Sequence, residues 1–302
     1  MSQSWRVTLS CTRQDAERLK DDIGPFALLD NPPPLITSEP DPAKPDEWQL
    51  DAYFDEKPGK AVVDQLVGLV GGKPKPVVAL LPDEDWVTLS QSGLEPITEG
   101  RFHVRASHVA AAPPRHAITF IIDAGRAFGT GQHATTAGCL AMIDRLAASG
   151  RAFRNILDLG TGTGVLAFAA CRAFGAHTLA TDIDPVSVEV AAANAMLNGI
   201  AMGRAPGQVE LAVADGTRHR RIDRHAPYDL IIANILANPL IALAPDIGPL
   251  LKPGGSLILA GLLDHQAEAV TAAYRRQGLR LDDCIQRGEW PTLRLRKPIG
   301  RR

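Results

Sequence analysis

The chain has 302 residues, 45% hydrophobic and 22% charged, with a net charge of −2; this composition excludes wholesale disorder, and the length favours two domains over one core. No apolar run reaches the ~18 residues that a membrane span needs, and the opening MSQSWRVTLSCTRQD carries no signal-peptide core. A cytoplasmic chain with no membrane partner is the expectation.

Residues 5–11 (WRVTLSC) alternate like a strand, and 13–23 have helical spacing. Seven prolines then fall between Pro25 and Pro45, which confines that stretch to loop or edge strand because proline removes a backbone donor. Strand-like WQLDAYF (48–54), helical AVVDQLVGLV (61–70) and strand-like PVVALLP (76–82) follow, with room for one more strand near 34–38. That order predicts a small ferredoxin-like α+β domain over 1–84. Residues 85–116 read as a linker containing a little helix and the strand-like RFHVRAS.

The pattern changes over 117–302. After the strand AITFIID (117–123) and the helix TAGCLAMIDRLAA (136–148), strands at 155–160, 177–183, 209–215, 228–235 and 256–263 alternate with helices near 163–174, 185–198, 239–251 and 265–277. Apolar runs alternating with longer helices predict a doubly wound, mostly parallel sheet covered on both faces. The ending, LRLDDCIQRGEW and PTLRLRK, has no helix between its two runs and predicts an antiparallel hairpin at one sheet edge. The five strands from 155 onward and the two of the hairpin make a seven-stranded Rossmann-like sheet.

Cys11, Cys139, Cys171 and Cys284 stand singly, so neither a disulfide framework nor a metal site is expected. Residues 1–100 hold 18 acidic and 9 basic side chains, leaving 16 acidic and 23 basic in 101–302. The acidic N-terminal third is either ordinary solvated surface or a face for a basic partner.

The chemistry concentrates at predicted strand ends. In DLGTGTG (158–164), Gly160, Gly162 and Gly164 permit a tight turn and close backbone approach to a ligand. Asp182, in TDIDP, is placed to bind the two ribose hydroxyls of a nucleoside, since Asp184-Pro185 supplies the helix cap by itself. The spacing is D-x-G-x-G-x-G, not the G-x-G-x-x-G of dinucleotide sites, and the loop has no Arg or Lys for phosphate. A phosphate-free nucleoside with an amino group beside Asp158 fits better, and S-adenosylmethionine is such a molecule. Asp215, in VADG, either contacts the adenine edge or simply forms an Asp-Gly turn. Asn234, in ANILANPL, offers an amide oxygen to an amine substrate, or acts as a turn former.

The combination of FGTGQHATT (128–136), DLGTGTG, DID and ANILANPL closely resembles the PrmA family of class I S-adenosylmethionine-dependent methyltransferases, which act on protein eleven of the large ribosomal subunit. The resemblance is specific in the second half and covers the whole chain in architecture. It implies a Rossmann-like methyltransferase domain, a substrate-recognition domain before it, and transfer of methyl groups to lysine or N-terminal amines. It also implies cofactor contacts at Thr136, Gly160, Asp182 and Asn234, with a loop containing Phe128, Gly129 and Thr130 that covers the methyl donor. Where the family reads T-H-P-T-T, this chain reads Gln132-His133-Ala134-Thr135-Thr136. His133 is read as bracing that loop, because amine methylation proceeds without a protein base.

Two other functions compete. A nucleic-acid amino-methyltransferase would carry an aromatic to stack on a flipped base, whereas the stretch here is Asn234-Ile235-Leu236-Ala237, so no direct nucleic-acid substrate is expected. A non-catalytic methyltransferase-fold binding protein would not need the glycine loop, Asp182 and Asn234 all intact.

Overall fold

The computed structural model describes residues 4–19, 33, 35–39, 47–54, 56–72, 74–81, 96–109, 112–123 and 134–299. The chain divides into two compact units, Met1–Ser92 and Gly93–Arg302.

In the first unit the order is β1 (Ser4–Thr12), α1 (Arg13–Leu19), β2 (Leu35–Ser38), β3 (Glu47–Phe54), α2 (Lys60–Gly68) and β4 (Val77–Leu81). The four strands form one antiparallel sheet in the order β2-β3-β1-β4, which is the ferredoxin-like arrangement. Val7, Leu9 and Cys11 alternate with polar residues along β1, so one face of the strand is apolar. That face joins Leu50 and Ala52 of β3 under Ala16 and Leu19 of α1 and Val63 and Leu66 of α2. Leu35–Ser38 lies at the sheet edge, where the proline-rich stretch had to place any strand.

The second unit opens with β5 (Ile97–Glu99), β6 (Phe102–Arg105) and β7 (Ile118–Ile121), a three-stranded sheet of its own. Phe102 and Val104, within the stretch read as connector, are core residues here. They pack with Phe120, Ile122 and Phe168, and the Phe102 and Phe120 rings stack at 6.3 Å.

The main sheet follows after α3 (Ala134–Ala148). Its elements are β8 (Asn155–Leu159), α4 (Val165–Phe174), β9 (His177–Asp182), α5 (Pro185–Leu197), β10 (Val209–Val213), α6 (Arg220–His225), β11 (Tyr228–Asn234), α7 (Ala237–Leu250), β12 (Leu251–Ala260), α8 (Asp264–Arg275), β13 (Arg280–Arg287) and β14 (Trp290–Arg296). The spatial order is β10-β9-β8-β11-β12-β14-β13. The first five strands run parallel, and β14 and β13 close one edge as the antiparallel hairpin.

Each central strand is apolar on both faces, as a doubly covered sheet requires. Ile156, Leu230 and Ile232 pack under α3 and α4, while Leu157, Leu159, Ile231 and Ala233 face α7 and α8. Asp184 caps α5, accepting the Val186 amide at 2.9 Å, with Pro185 in the first turn. The last parallel strand begins earlier than its apolar run, at Leu251. Tyr228 pairs with Leu251 but Leu230 with Ser256, so Lys252–Gly255 form an irregularity within β12.

Candidate active site

The order in which strands are added reverses at β8: β9 and β10 lie on one side of it and β11 and β12 on the other. Ligands of open α/β sheets bind beyond the carboxyl ends of strands at such a reversal. Asp215, Asp182, Gly160 and Asn234 sit at the carboxyl ends of β10, β9, β8 and β11, so four sequence-predicted residues line one rim in spatial order.

The glycine loop is built as expected. Gly160, Gly162 and Gly164 all have positive φ (70°, 53° and 88°), a conformation costly for side chains with a Cβ. A Cβ at Gly160 would lie 2.4 Å from Ile235 Cγ2, and one at Gly164 would lie 2.4 Å from the Phe168 ring. The loops after β8 and β11 are therefore in contact.

The amides of this loop are already committed. Gly160 and Thr161 donate to Thr181 O at 2.8 and 2.9 Å, and Gly164 donates to Thr161 O at 2.9 Å. Gly162 donates to Asp182 Oδ2 at 2.9 Å. A phosphate-binding loop must aim such amides at its ligand; those of Gly160, Thr161, Gly162 and Gly164 point at protein acceptors.

Asp182 is thus partly an internal brace, its Oδ1 also accepting the Asp184 amide at 3.1 Å. A carboxylate has about four lone-pair sites, so acceptor capacity remains for ribose hydroxyls. Asp215 is exposed and follows Ala214, whose amide donates to Asp182 O at 2.8 Å.

Asp158 is buried at 1% exposure. Its Oδ2 accepts Thr161 Oγ1 at 2.6 Å, while Oδ1 has no hydrogen-bond partner. Burial pushes its carboxyl from the ordinary 3.8 up to about 7, with the charge of Asp182 adding to the rise and the Thr161 hydroxyl opposing it. A buried carboxylate with one unpaired oxygen suits a cationic amino group.

This shift predicts a pH dependence. Folding raises the Asp158 pKa, so the unfolded chain releases this proton at lower pH than the folded chain does. Stability drawn from Asp158 is therefore lost as pH rises from about 4 to about 7. Asp158→Asn does not titrate, so in ligand-free protein its stability relative to wild type should rise across that window and level off above it. Urea unfolding of both proteins at pH 5 and pH 8 checks this; an unchanged difference contradicts it.

Thr136 and Asn234 meet across the site. Thr136, in the first turn of α3, is 2% exposed. Its Oγ1 accepts the half-buried Asn234 Nδ2 at 3.4 Å. These residues are 98 positions apart in sequence, and the contact leaves Asn234 Oδ1 as the amide's acceptor. Phe128, Gly129, Thr130 and His133 lie outside the described residues.

Two residues with no motif to mark them tie down the approach to that loop. Asn198 Oδ1 accepts the Ile121 amide and its Nδ2 donates to Ile121 O, both at 2.7 Å. One turn earlier, Asn194 Oδ1 accepts the Asp123 amide at 3.1 Å, and its Nδ2 donates to Asp123 O and Thr163 O, both at 3.1 Å. Their i,i+4 spacing at the end of α5, where Asn198 is the cap, was the one signal available, since it places both side chains on one side of the helix. Asn194 joins the glycine loop to the end of β7. Asn194→Ala removes the side-chain partner of the Asp123 amide and of the Asp123 and Thr163 carbonyls and should cost about 1–3 kcal/mol. Denaturant unfolding reads this, and an unchanged midpoint contradicts it.

Known proteins share this architecture and sequence. The sequence profile of the family described as ribosomal protein L11 methyltransferase (PrmA) matches residues 28–298. The L11 methyltransferase of Rhizobium rhizogenes is 42% identical over 298 residues, covering 97% of this chain and 99% of that protein. The Brucella suis enzyme of the same name is 42% identical over 300 residues, with 98% and 100% covered. Among solved structures, a ribosomal protein L11 methylase from Lactobacillus delbrueckii subsp. bulgaricus matches with a TM-score of 0.57 and 28% identity, over 68% of this chain and all of that one. With the predicted rim in place and this likeness spanning nearly its whole length, the chain belongs to the ribosomal protein L11 methyltransferase family.

Proposed function

We propose that the second unit transfers methyl groups from S-adenosylmethionine to amine nitrogens of ribosomal protein L11, on lysine side chains, the N-terminus or both. The observation that carries this reading is the rim itself: a glycine loop with its amides spent internally, an orphaned buried carboxylate oxygen on Asp158, and the Thr136–Asn234 contact. The loop suits a nucleoside without phosphate. Asp182 would hold the ribose, Asp158 the amino group and Asp215 the adenine edge. When bound, S-adenosylmethionine supplies an electrophilic methyl group on a sulfonium.

The chain's own task is to present a neutral amine. A lysine of pKa ~10.4 costs about 4.6 kcal/mol to deprotonate at pH 7, and an α-amine of ~7.8 about 1 kcal/mol. Exclusion of water and a neighbouring positive charge lower either pKa. With its Nδ2 held by Thr136, Asn234 directs Oδ1 at an N–H of the amine, orienting the nitrogen lone pair for in-line attack. The amine proton leaves to solvent.

The first unit, with its acidic balance, is proposed to receive a basic surface of the substrate. No direct nucleic-acid substrate is proposed, since residues 234–237 offer no aromatic for an extruded base. No helix among the described residues is long and apolar enough to cross a membrane, and a ribosomal substrate argues for work in the cytoplasm.

Mass spectrometry of purified L11 after incubation with the enzyme and labelled donor tests the substrate. Labelled methyl groups on L11 amines are expected. An unmodified L11, with donor binding intact, would overturn the substrate assignment alone.

A further inference from the structure

The opposite end of the main sheet carries a second cluster. His177 opens β9, Glu210 lies at the start of β10, and His225 ends α6. The sheet pairs β9 with β10, and α6 brings the third side chain back to them. His225 Nε2 lies 3.1 Å from Glu210 Oε2, and His177 Nε2 lies 3.8 Å from the same oxygen. All three candidate donor atoms fall within 4.8 Å of one another. His177 is only 7% exposed, and its buried Nε2 has no hydrogen-bond partner.

We propose that His177, Glu210 and His225 bind one zinc-class divalent ion, which staples β9, β10 and α6 together at the amino end of the sheet. Two imidazoles and a carboxylate form a ligand set that zinc accepts, with a fourth position for water. Tetrahedral bonds of ~2.0–2.1 Å put ligand atoms about 3.3 Å apart. The His225–Glu210 edge already matches at 3.1 Å, and the other two edges must shorten when the ion binds.

The surroundings suit the ligands. Coordination would give the buried His177 Nε2 the partner it otherwise lacks. Arg204 and Arg221 both bind Glu210 Oε1, at 3.2 and 3.3 Å, which fixes the carboxylate and leaves Oε2 toward the imidazoles. The two imidazole nitrogens select zinc, nickel or copper over magnesium or calcium. The single cysteines exclude a thiolate site but say nothing of imidazoles.

The test uses the full chain without an affinity tag, stripped of metal by chelator and titrated with Zn²⁺ against a chromophoric competitor. One Zn²⁺ per chain is expected, with affinity lowered at least ~10-fold in His225→Gln and unchanged in His265→Gln, whose side chain is exposed on α8. Zinc should also raise the melting temperature of wild type and not of His225→Gln. Absence of binding, equal binding by His225→Gln, or equal loss in His265→Gln overturns the site. Should His225→Gln fail to fold, the Co²⁺ spectrum of wild type decides: intense tetrahedral visible bands support the site, and the weak spectrum of aqueous cobalt refutes it.

Discussion

Asn234→Ala is expected to lower kcat for methyl transfer to L11 by at least ~100-fold, the order of loss when a group that fixes reacting geometry is removed. Donor affinity should fall far less, by no more than the ~5-fold of one hydrogen bond near 1 kcal/mol. The fold should survive, because Asn234 is half-buried and its side chain's bond to Thr136 is long, at 3.4 Å. Thr136→Val removes the partner of Nδ2 while keeping the amide oxygen, so it should lower kcat less than Asn234→Ala does. Single-turnover measurement with saturating donor separates the two effects. Turnover of Asn234→Ala within a few-fold of wild type would remove Asn234 from the chemistry.

The second large effect concerns Gly261, the residue after β12. Its φ is 85°, and a Cβ there would lie 2.4 Å from Ile235 O and 2.8 Å from Ile235 C. The obstacle is backbone, so no rotamer change relieves it, and the displaced segment is the one carrying Asn234. Gly278 provides the control, with φ of 80° and nothing within 4 Å of its would-be Cβ. Gly278→Ala should cost only the conformational strain, about 1–2 kcal/mol. Gly261→Ala should cost at least ~2 kcal/mol more, in the range of severe core substitutions, and should lower activity even where the protein remains folded. Urea unfolding of the two variants side by side reads the difference. Equal destabilisation would mean that the close approach to Ile235 has no energetic weight.

What the sequence revealed follows the range of the interactions. Strand, glycine turn and helix succeed one another locally around Asp158–Gly164, and the cap at Asp184-Pro185 is complete within three residues. The apolar period therefore exposed the parallel sheet, the terminal hairpin and the strand ends that carry Gly160, Asp182, Asp215 and Asn234. Gly261 looks like any strand-end glycine until β11 and β12 are side by side. Asn194 and Asn198 act on residues 71 and 77 positions away, beyond any local signal.

The short α6 was hidden for a different reason. Its cap is the ring nitrogen of His219, which accepts the Arg221 amide at 3.3 Å, and histidine is not among the residues that announce a helix start. Only Ile222 of this helix is buried, so it has no apolar stripe. Strand β5 is three residues long, too short for alternation to stand out, whereas β6 lies within the strand-like RFHVRAS. Asp182 was legible as a carboxylate at a strand end, but its bonds to the Gly162 and Asp184 amides required the folded loop.

The most direct measurement is a calorimetric titration of the full chain with S-adenosylmethionine and, separately, with NAD. The glycine-loop amides donate inward and Asp158 keeps an unpaired oxygen. One equivalent of S-adenosylmethionine should therefore bind, and NAD should produce no binding heat. Saturable binding of NAD without any binding of S-adenosylmethionine would contradict the assignment of the crevice.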